Sequence, residues 1–232
     1  LGVAYYDQRD TFLNEMIAEM KVRMKEYETE DLEMMMSIRE AAGIQKTQND
    51  QVKELLDAGC NVLCVNLVDR ADPSEIIDLA REREVPIIFF NREPVAEDLQ
   101  QWEGLYYVGA DARQSGILQG ELAAERIQAD KNIDRNKDGN AVETLKTKGI
   151  ELEKLSYQIA NWNRAQAQNR MEQLLGEYQN QIELVLANND DMALGAIDAY
   201  EKRNYTESAL PVFFGIDGTD PGLEAVVNGK LA

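Results

Sequence analysis

Histidine is missing from all 232 residues. Its absence removes imidazole acid–base work, His-based triads and His-ligated zinc from the chemistry open to this chain. Cysteine is nearly missing too, with only Cys60 and Cys64, in Cys-Asn-Val-Leu-Cys. On an extended segment their Cα atoms stand about 13 Å apart, beyond the reach of a disulfide. Both read as small apolar core residues rather than a redox or metal pair. No stretch approaches the roughly 20 apolar residues of a membrane-spanning helix. The chain opens on an apolar, strand-like run at residues 1–6 without a leader pattern, so a soluble protein, mature or trimmed, is expected.

Basic charge is also scarce. Lys and Arg number 24 against 43 Asp and Glu, for a formal net charge of −19. Tracking phosphates needs clustered Lys and Arg that release counterions, so no nucleic-acid partner is expected and anionic membranes are poor partners. The same charge favours a dispersed monomer. Three signatures are lacking as well: Gly-x-Gly-x-x-Gly after a strand, a phosphate loop ending Gly-Lys-Ser/Thr, and Gly-x-Ser-x-Gly.

What the chain does have is 44% hydrophobic residues, enough for a substantial core, arranged in a regular rhythm. Short β-rich apolar runs at 1–6, 32–38, 61–66 and 86–91 alternate with helical patterns at 11–27, 46–58 and 73–84. A strand at 105–109 leads into a helix at 113–128. A second series follows, with strands at 151–157, 183–187 and 211–216 and helices at 164–178, 192–203 and 221–228. This alternation predicts an α/β protein of two lobes, 1–110 and 111–232, each a parallel sheet flanked by helices. One place breaks the rhythm. The helix at 113–128 and the loop at 134–140 run into another helical pattern at 142–148 with no strand between. A piece of a parent protein is therefore expected to be absent near 140/141, and a further strand is expected beyond Ala232.

Polar side chains recur where α/β sheets bind ligands, after the carboxyl ends of strands. Asp10 and Phe12 follow the first strand, Asn91 ends Ile-Ile-Phe-Phe-Asn, Asn189 follows Leu-Ala-Asn, and Asp217 follows Phe-Phe-Gly-Ile. One such Asn or Asp serves equally well as a helix cap or turn residue. Their recurrence in both lobes points to a shared cleft. Carboxylates accept from hydroxyls while amides both accept and donate, the combination a sugar requires. Phe12 and Trp162 add aromatic faces suited to the apolar face of a pyranose, although interior packing is an equal reading for Trp162. Asp134-Arg-Asn136-Lys-Asp138-Gly139-Asn140 places oxygen ligands at alternate positions with Gly at the sharp turn, the first half of a calcium loop. Position 145, where an EF-hand carries its bidentate Glu, is Leu145, and a solvated Asx-rich turn is the alternative.

Read together and in order, Asn66-Leu-Val-Asp, Ile88-Phe-Phe-Asn-Arg-Glu-Pro, Tyr106-Tyr-Val-Gly-Ala-Asp, the Asp134 loop and Leu186-Ala-Asn-Asn-Asp resemble the galactose/glucose-binding periplasmic proteins. The resemblance implies a type I periplasmic binding protein fold that clamps D-galactose or D-glucose between its lobes without making or breaking a bond. It implies Asp10, Asn91, Asn189 and Asp217 as hydrogen-bonding residues, Phe12 and Trp162 as stacking rings, and Tyr6 beside the sugar ring. It also implies a structural calcium ion held by Asp134, Asn136, Asp138, the Asn140 carbonyl and bidentate Glu183. The partners it implies are the membrane subunits of an ABC transporter and a chemoreceptor, and the location is the periplasm or the lipid-anchored outer face of the cell membrane. The chain departs from the family where a strand and loop bearing a His, an Asp and an Arg should follow the calcium loop, and where a last sugar-binding Asn should lie beyond residue 232. Two other readings stay open. One is the sugar-responsive core of a LacI-type regulator without its DNA-binding domain; the other is a glycosidase using paired carboxylates such as Asp10 and Asp217.

Overall fold

The structure, a computed structural model, describes residues 1–129, 145, 147–150 and 153–232. Its contacts divide the chain into two compact units, Leu1–Ala110 and Asp111–Ala232. No helix among the described residues is long and apolar enough to cross a membrane.

The first unit is built on five parallel strands in the order β2-β1-β3-β4-β5. They are β1 (Gly2–Tyr5), β2 (Ser37–Glu40), β3 (Leu63–Val65), β4 (Ile87–Phe90) and β5 (Leu105–Val108). Val3 stands opposite Ile38 and Cys64, and Cys64 opposite Ile88. A central parallel strand is covered on both faces and therefore reads as an unbroken apolar run. Gly-Val-Ala-Tyr of β1 and Leu-Cys-Val of β3 are buried at every position.

The two-residue period of the strands sorts their side chains to opposite faces. Ala4, Leu63, Val65, Ile87 and Phe89 pack against α2 (Gln45–Asp57) and α3 (Ser74–Glu82). Val3, Tyr5, Cys64 and Phe90 pack against Leu13 and Ile17 of α1 (Thr11–Glu26). Cys60 lies with the first cluster and Cys64 with the second, so the two thiols are free and on opposite sides of the sheet. Burial pushes the Cys64 thiol up to about 11, which suits an inert core residue.

Two details of this unit differ from the sequence reading. Strand β2 begins at Ser37 rather than at residue 32, because Thr29 and Leu32 bond to each other in an antiparallel bridge and turn the chain first. A one-turn helix, α4 (Ala96–Leu99), interrupts the run from β4 to β5.

The second unit contains α5 (Ala112–Ala129), α6 (Arg164–Tyr178), β6 (Leu184–Leu186), α7 (Asp190–Lys202), β7 (Val212–Phe214) and α8 (Asp220–Val227). Strands β6 and β7 pair in parallel, with Val185 opposite Phe213. Met171 and Leu175 of α6 meet Leu194, Ile197 and Tyr200 of α7 above Phe213. Ala123, Ala124 and Ile127 of α5 pack with Leu145 and Phe214 in a second cluster.

The strand expected at 151–157 is not formed over 153–157. That segment has no ladder partner among the described residues. Its Leu155 carbonyl accepts instead from the Tyr178 hydroxyl at 3.0 Å, and Tyr157 is exposed. Of the helical pattern at 142–148, Leu145 and Thr147 are helical.

Helices α6 and α7 approach closely at Gly195, where a Cβ would collide with the Arg164 carbonyl oxygen. Overpacking of this kind costs about 1–3 kcal/mol. Gly195→Ala is therefore expected to lower the thermal midpoint by several degrees; an unchanged melting curve would show that the helices part freely.

Candidate functional site

In a parallel sheet all strands end on the same edge, and the loops leaving that edge carry the polar residues. In the first unit these loops follow β1, β3 and β4. Asp10 caps α1: its Oδ1 accepts from the Leu13 amide at 3.0 Å, and its Oδ2 accepts from the Tyr6 hydroxyl at 2.6 Å. The carboxylate is buried and fixed at both oxygens. Burial, and then the bond to Asp10, hold the Tyr6 hydroxyl well above its ordinary pKa, so it remains a donor.

Arg92 lies over the Tyr6 ring at 3.6 Å from its centroid. Its Nη1 donates to the Leu67 and Val68 carbonyls at 3.2 and 3.0 Å. Burial draws the guanidinium pKa down, while Tyr6 and Asp10 nearby oppose that shift. A chain of contacts thus runs from the β3 loop through Arg92 and Tyr6 to Asp10. Nearby, the Asp7 carboxylate is held below its usual range by paired hydrogen bonds from Arg9.

Asn91 takes a left-handed backbone, φ 60°, which Asn tolerates better than most residues. The buried Asn66 fixes it. Asn66 Nδ2 donates to Asn91 Oδ1 at 3.0 Å and to the Phe90 carbonyl at 3.1 Å. Tyr107 donates to the Asn91 carbonyl at 3.2 Å. Phe12 is half-buried and packs with Tyr6 against the cluster around Leu13. The structure therefore brings Tyr6, Asp10 and Phe12 together and leaves Asn91 exposed beside them on the next loops.

The second unit presents a corresponding set after β6 and β7. Asn189 caps α7, its Oδ1 accepting from the Met192 amide at 2.9 Å, and its Nδ2 reaches the Trp162 carbonyl at 3.5 Å. Asn161 and Trp162 both take left-handed backbones, φ 51° and 53°, just before α6. A bulky residue in that conformation is uncommon. Trp162 is 46% exposed, which sets aside the reading of it as an interior packing residue. Asp217, exposed, has φ 114°, also in the region that favours glycine. Gln119 of α5 joins the two strand ends, donating to the Ala187 and Gly215 carbonyls at 2.7 and 3.2 Å.

Of the five expected calcium ligands, Asp134, Asn136, Asp138 and Asn140 lie outside the described residues. Glu183 directly precedes β6, half-buried, and its carbonyl accepts from the Val212 amide at 3.0 Å.

The sequence reading missed Asn66, Arg92, Gln119 and Asp190. The rule that selected Asn91, a polar residue directly after an apolar strand, also selects Asn66. Arg92 carries no such signal, because only the fold stacks it on Tyr6.

A family model described as a periplasmic binding protein domain matches residues 1–232. The chain belongs to the periplasmic binding protein family. It is 33% identical over 254 residues to the D-galactose/methyl-galactoside binding periplasmic protein MglB of Haemophilus influenzae, an alignment covering 100% of this chain and 74% of that protein. The aligned span is longer than this chain, so the relative carries residues inside it that have no counterpart here.

A xylitol-binding protein of Mycolicibacterium smegmatis is 28% identical over 242 residues, covering 100% of this chain and 65% of that one. Among solved structures, an ABC transporter solute-binding protein from Bacillus halodurans with bound myo-inositol matches with a TM-score of 0.76 and 28% identity, over 99% of this chain and 79% of that one. The α/β periplasmic-binding-protein fold predicted above is thereby shown, and the chain is a binding protein rather than an enzyme.

Asn66→Ala removes both Nδ2 bonds, while the Phe90 carbonyl keeps the Arg92 amide as a donor, a loss of about 0.5–1.5 kcal/mol for each bond. The expected result is a lower denaturant midpoint with an unchanged slope; a midpoint like that of the wild type would mean that Asn91 is held without it.

Proposed function

We propose that this periplasmic binding protein takes up one D-hexose of the galactose/glucose type and delivers it to the membrane subunits of an ABC transporter. The observation that carries the reading is the repetition of one chemistry at the strand ends of both units. A carboxylate or amide fixed in orientation stands beside an aromatic ring in each. The similarity to the galactose-binding MglB over the whole chain supports the hexose.

In the first unit, Leu13 and Tyr6 fix the orientation of the Asp10 carboxylate, an acceptor for sugar hydroxyls. Asn91, its side-chain oxygen taken by Asn66, offers its amide hydrogens. Asn189 and Asp217 supply the same pair of functions from the second unit. Phe12 and Trp162 cover the apolar faces of the pyranose, with Tyr6 beside the ring. Aromatic contact confers affinity for a sugar ring in general, whereas the amide and carboxylate pairs distinguish epimers. Closure on the ligand would then mark the loaded form for the transporter and for a chemoreceptor. The proposed site of action is the periplasm or the lipid-anchored outer face of the membrane, with the chain as a monomer.

Isothermal titration with D-galactose, D-glucose, D-ribose, xylitol and myo-inositol tests this reading. Micromolar or tighter binding of a hexose is expected, and Asp10→Ala is expected to weaken it by roughly tenfold or more through the lost charge-assisted bonds. Preference for a polyol or a pentose would overturn the hexose assignment, and silence from all five would overturn sugar binding.

We also propose a structural calcium ion, held by Asp134, Asn136, Asp138, the Asn140 carbonyl and Glu183. The support is the alternation of oxygen-bearing residues and the carboxylate of Glu183, the chemistry a hard cation prefers. Chelator is expected to lower the melting temperature while changing hexose affinity little. A melting curve indifferent to chelator and to added calcium would remove the metal from the account.

A further inference from the structure

Asp190 is a buried carboxylate, 3% exposed, that the proposed sugar contacts do not use. It is the first residue of α7, directly after Asn189, and its side chain points across to the loop that follows β7. Its Oδ2 accepts from the Thr219 amide at 2.9 Å and from the Thr219 hydroxyl at 3.0 Å. Its own amide donates to the Ile216 carbonyl at 2.8 Å. The carboxylate fits closely between two glycines, since a Cβ at either Gly215 or Gly222 would collide with it. Asp217 and Gly218, held between these anchors, both have positive φ, 114° and 68°. For a non-glycine residue that conformation persists only where the surroundings impose it.

We infer that Asp190 is a positioning residue for Asp217: it locks the 215–219 loop in the conformation that presents the Asp217 carboxylate to ligand. The inference rests on the proposed sugar-binding role of Asp217. Three features support it. The anchors lie on both sides of the strained residue, at Ile216 and Thr219. The acceptor is charged and sits at a helix N-terminus, where the backbone amides favour negative charge. Finally, Asp190 follows directly on Asn189, so one residue sets the spacing between the two polar groups that the second unit offers. Thr219 doubles as the cap of α8, its Oγ1 accepting from the Gly222 amide at 3.2 Å, which ties the loop to a rigid helix.

A double-mutant cycle with D-galactose as the probe, using Asp190→Ala, Asp217→Ala and the pair, tests the inference. Asp190→Ala is expected to weaken binding by roughly tenfold, yet to add little once Asp217 is already Ala. Asp190→Asn, which keeps an acceptor in place, is expected to recover most of the affinity. Equal losses in both backgrounds, or full affinity in a folded Asp190→Ala protein, would overturn it.

Amide hydrogen exchange at Gly218 and Thr219 supplies a readout independent of sugar. Faster exchange in Asp190→Ala, with the core amides unchanged, supports the lock, and unaltered exchange overturns it. A wild type that binds no sugar, together with faster exchange in Asp190→Ala than in that wild type, would sink the proposed ligand while upholding the lock on the loop.

Discussion

Parallel pairing of strands is the constraint on which the site depends. When β2, β1, β3, β4 and β5 all run one way, every strand must deliver its carboxyl end to one edge. The loops after β1, β3 and β4 are then neighbours in space although they are far apart in sequence. In the second unit the pairing of β6 with β7 does the same for Asn189 and Asp217.

Gathering polar groups at a sheet edge has a cost that the fold must offset. Buried amides and carboxylates are tolerated only when their hydrogen bonds are made. Here three of the proposed contact residues are held by a second polar residue: Asp10 by Tyr6, Asn91 by Asn66, and the Asp217 loop by Asp190. The Tyr6 hydroxyl and Asn66 Nδ2 spend their hydrogen bonds inside the protein, while Asn66 Oδ1 is buried without a partner among the described residues. Left-handed backbone occurs at this edge in Asn91 and Asp217, and also away from it, as at Glu84 and Asn204. The regular scaffold beneath fixes conformations that an isolated loop would not hold.

Much of this arrangement was legible in the sequence, because the signals were local. The two-residue period of an apolar strand and the spacing of Leu13 and Ile17 on a helix are written in adjacent residues. Polar residues directly after strands marked Asp10, Asn91, Asn189 and Asp217 by the same local logic. The segment at 151–157 shows the limit. Its residues read as a strand, but a strand exists only by pairing with a neighbour, and the Tyr178 hydroxyl takes the Leu155 carbonyl instead.

The sequence by itself determined the fold class, most of the order of the elements and the kind of chemistry gathered at their ends. It did so because periodicity, capping and the absence of histidine are properties of neighbouring residues or of the whole composition. Only the tertiary structure decided that Arg92 stacks on Tyr6, that Asn66 holds Asn91, and that Asp190 fits between Gly215 and Gly222 to anchor Thr219. Each of these joins residues from different strands or helices, and such distances are set by packing.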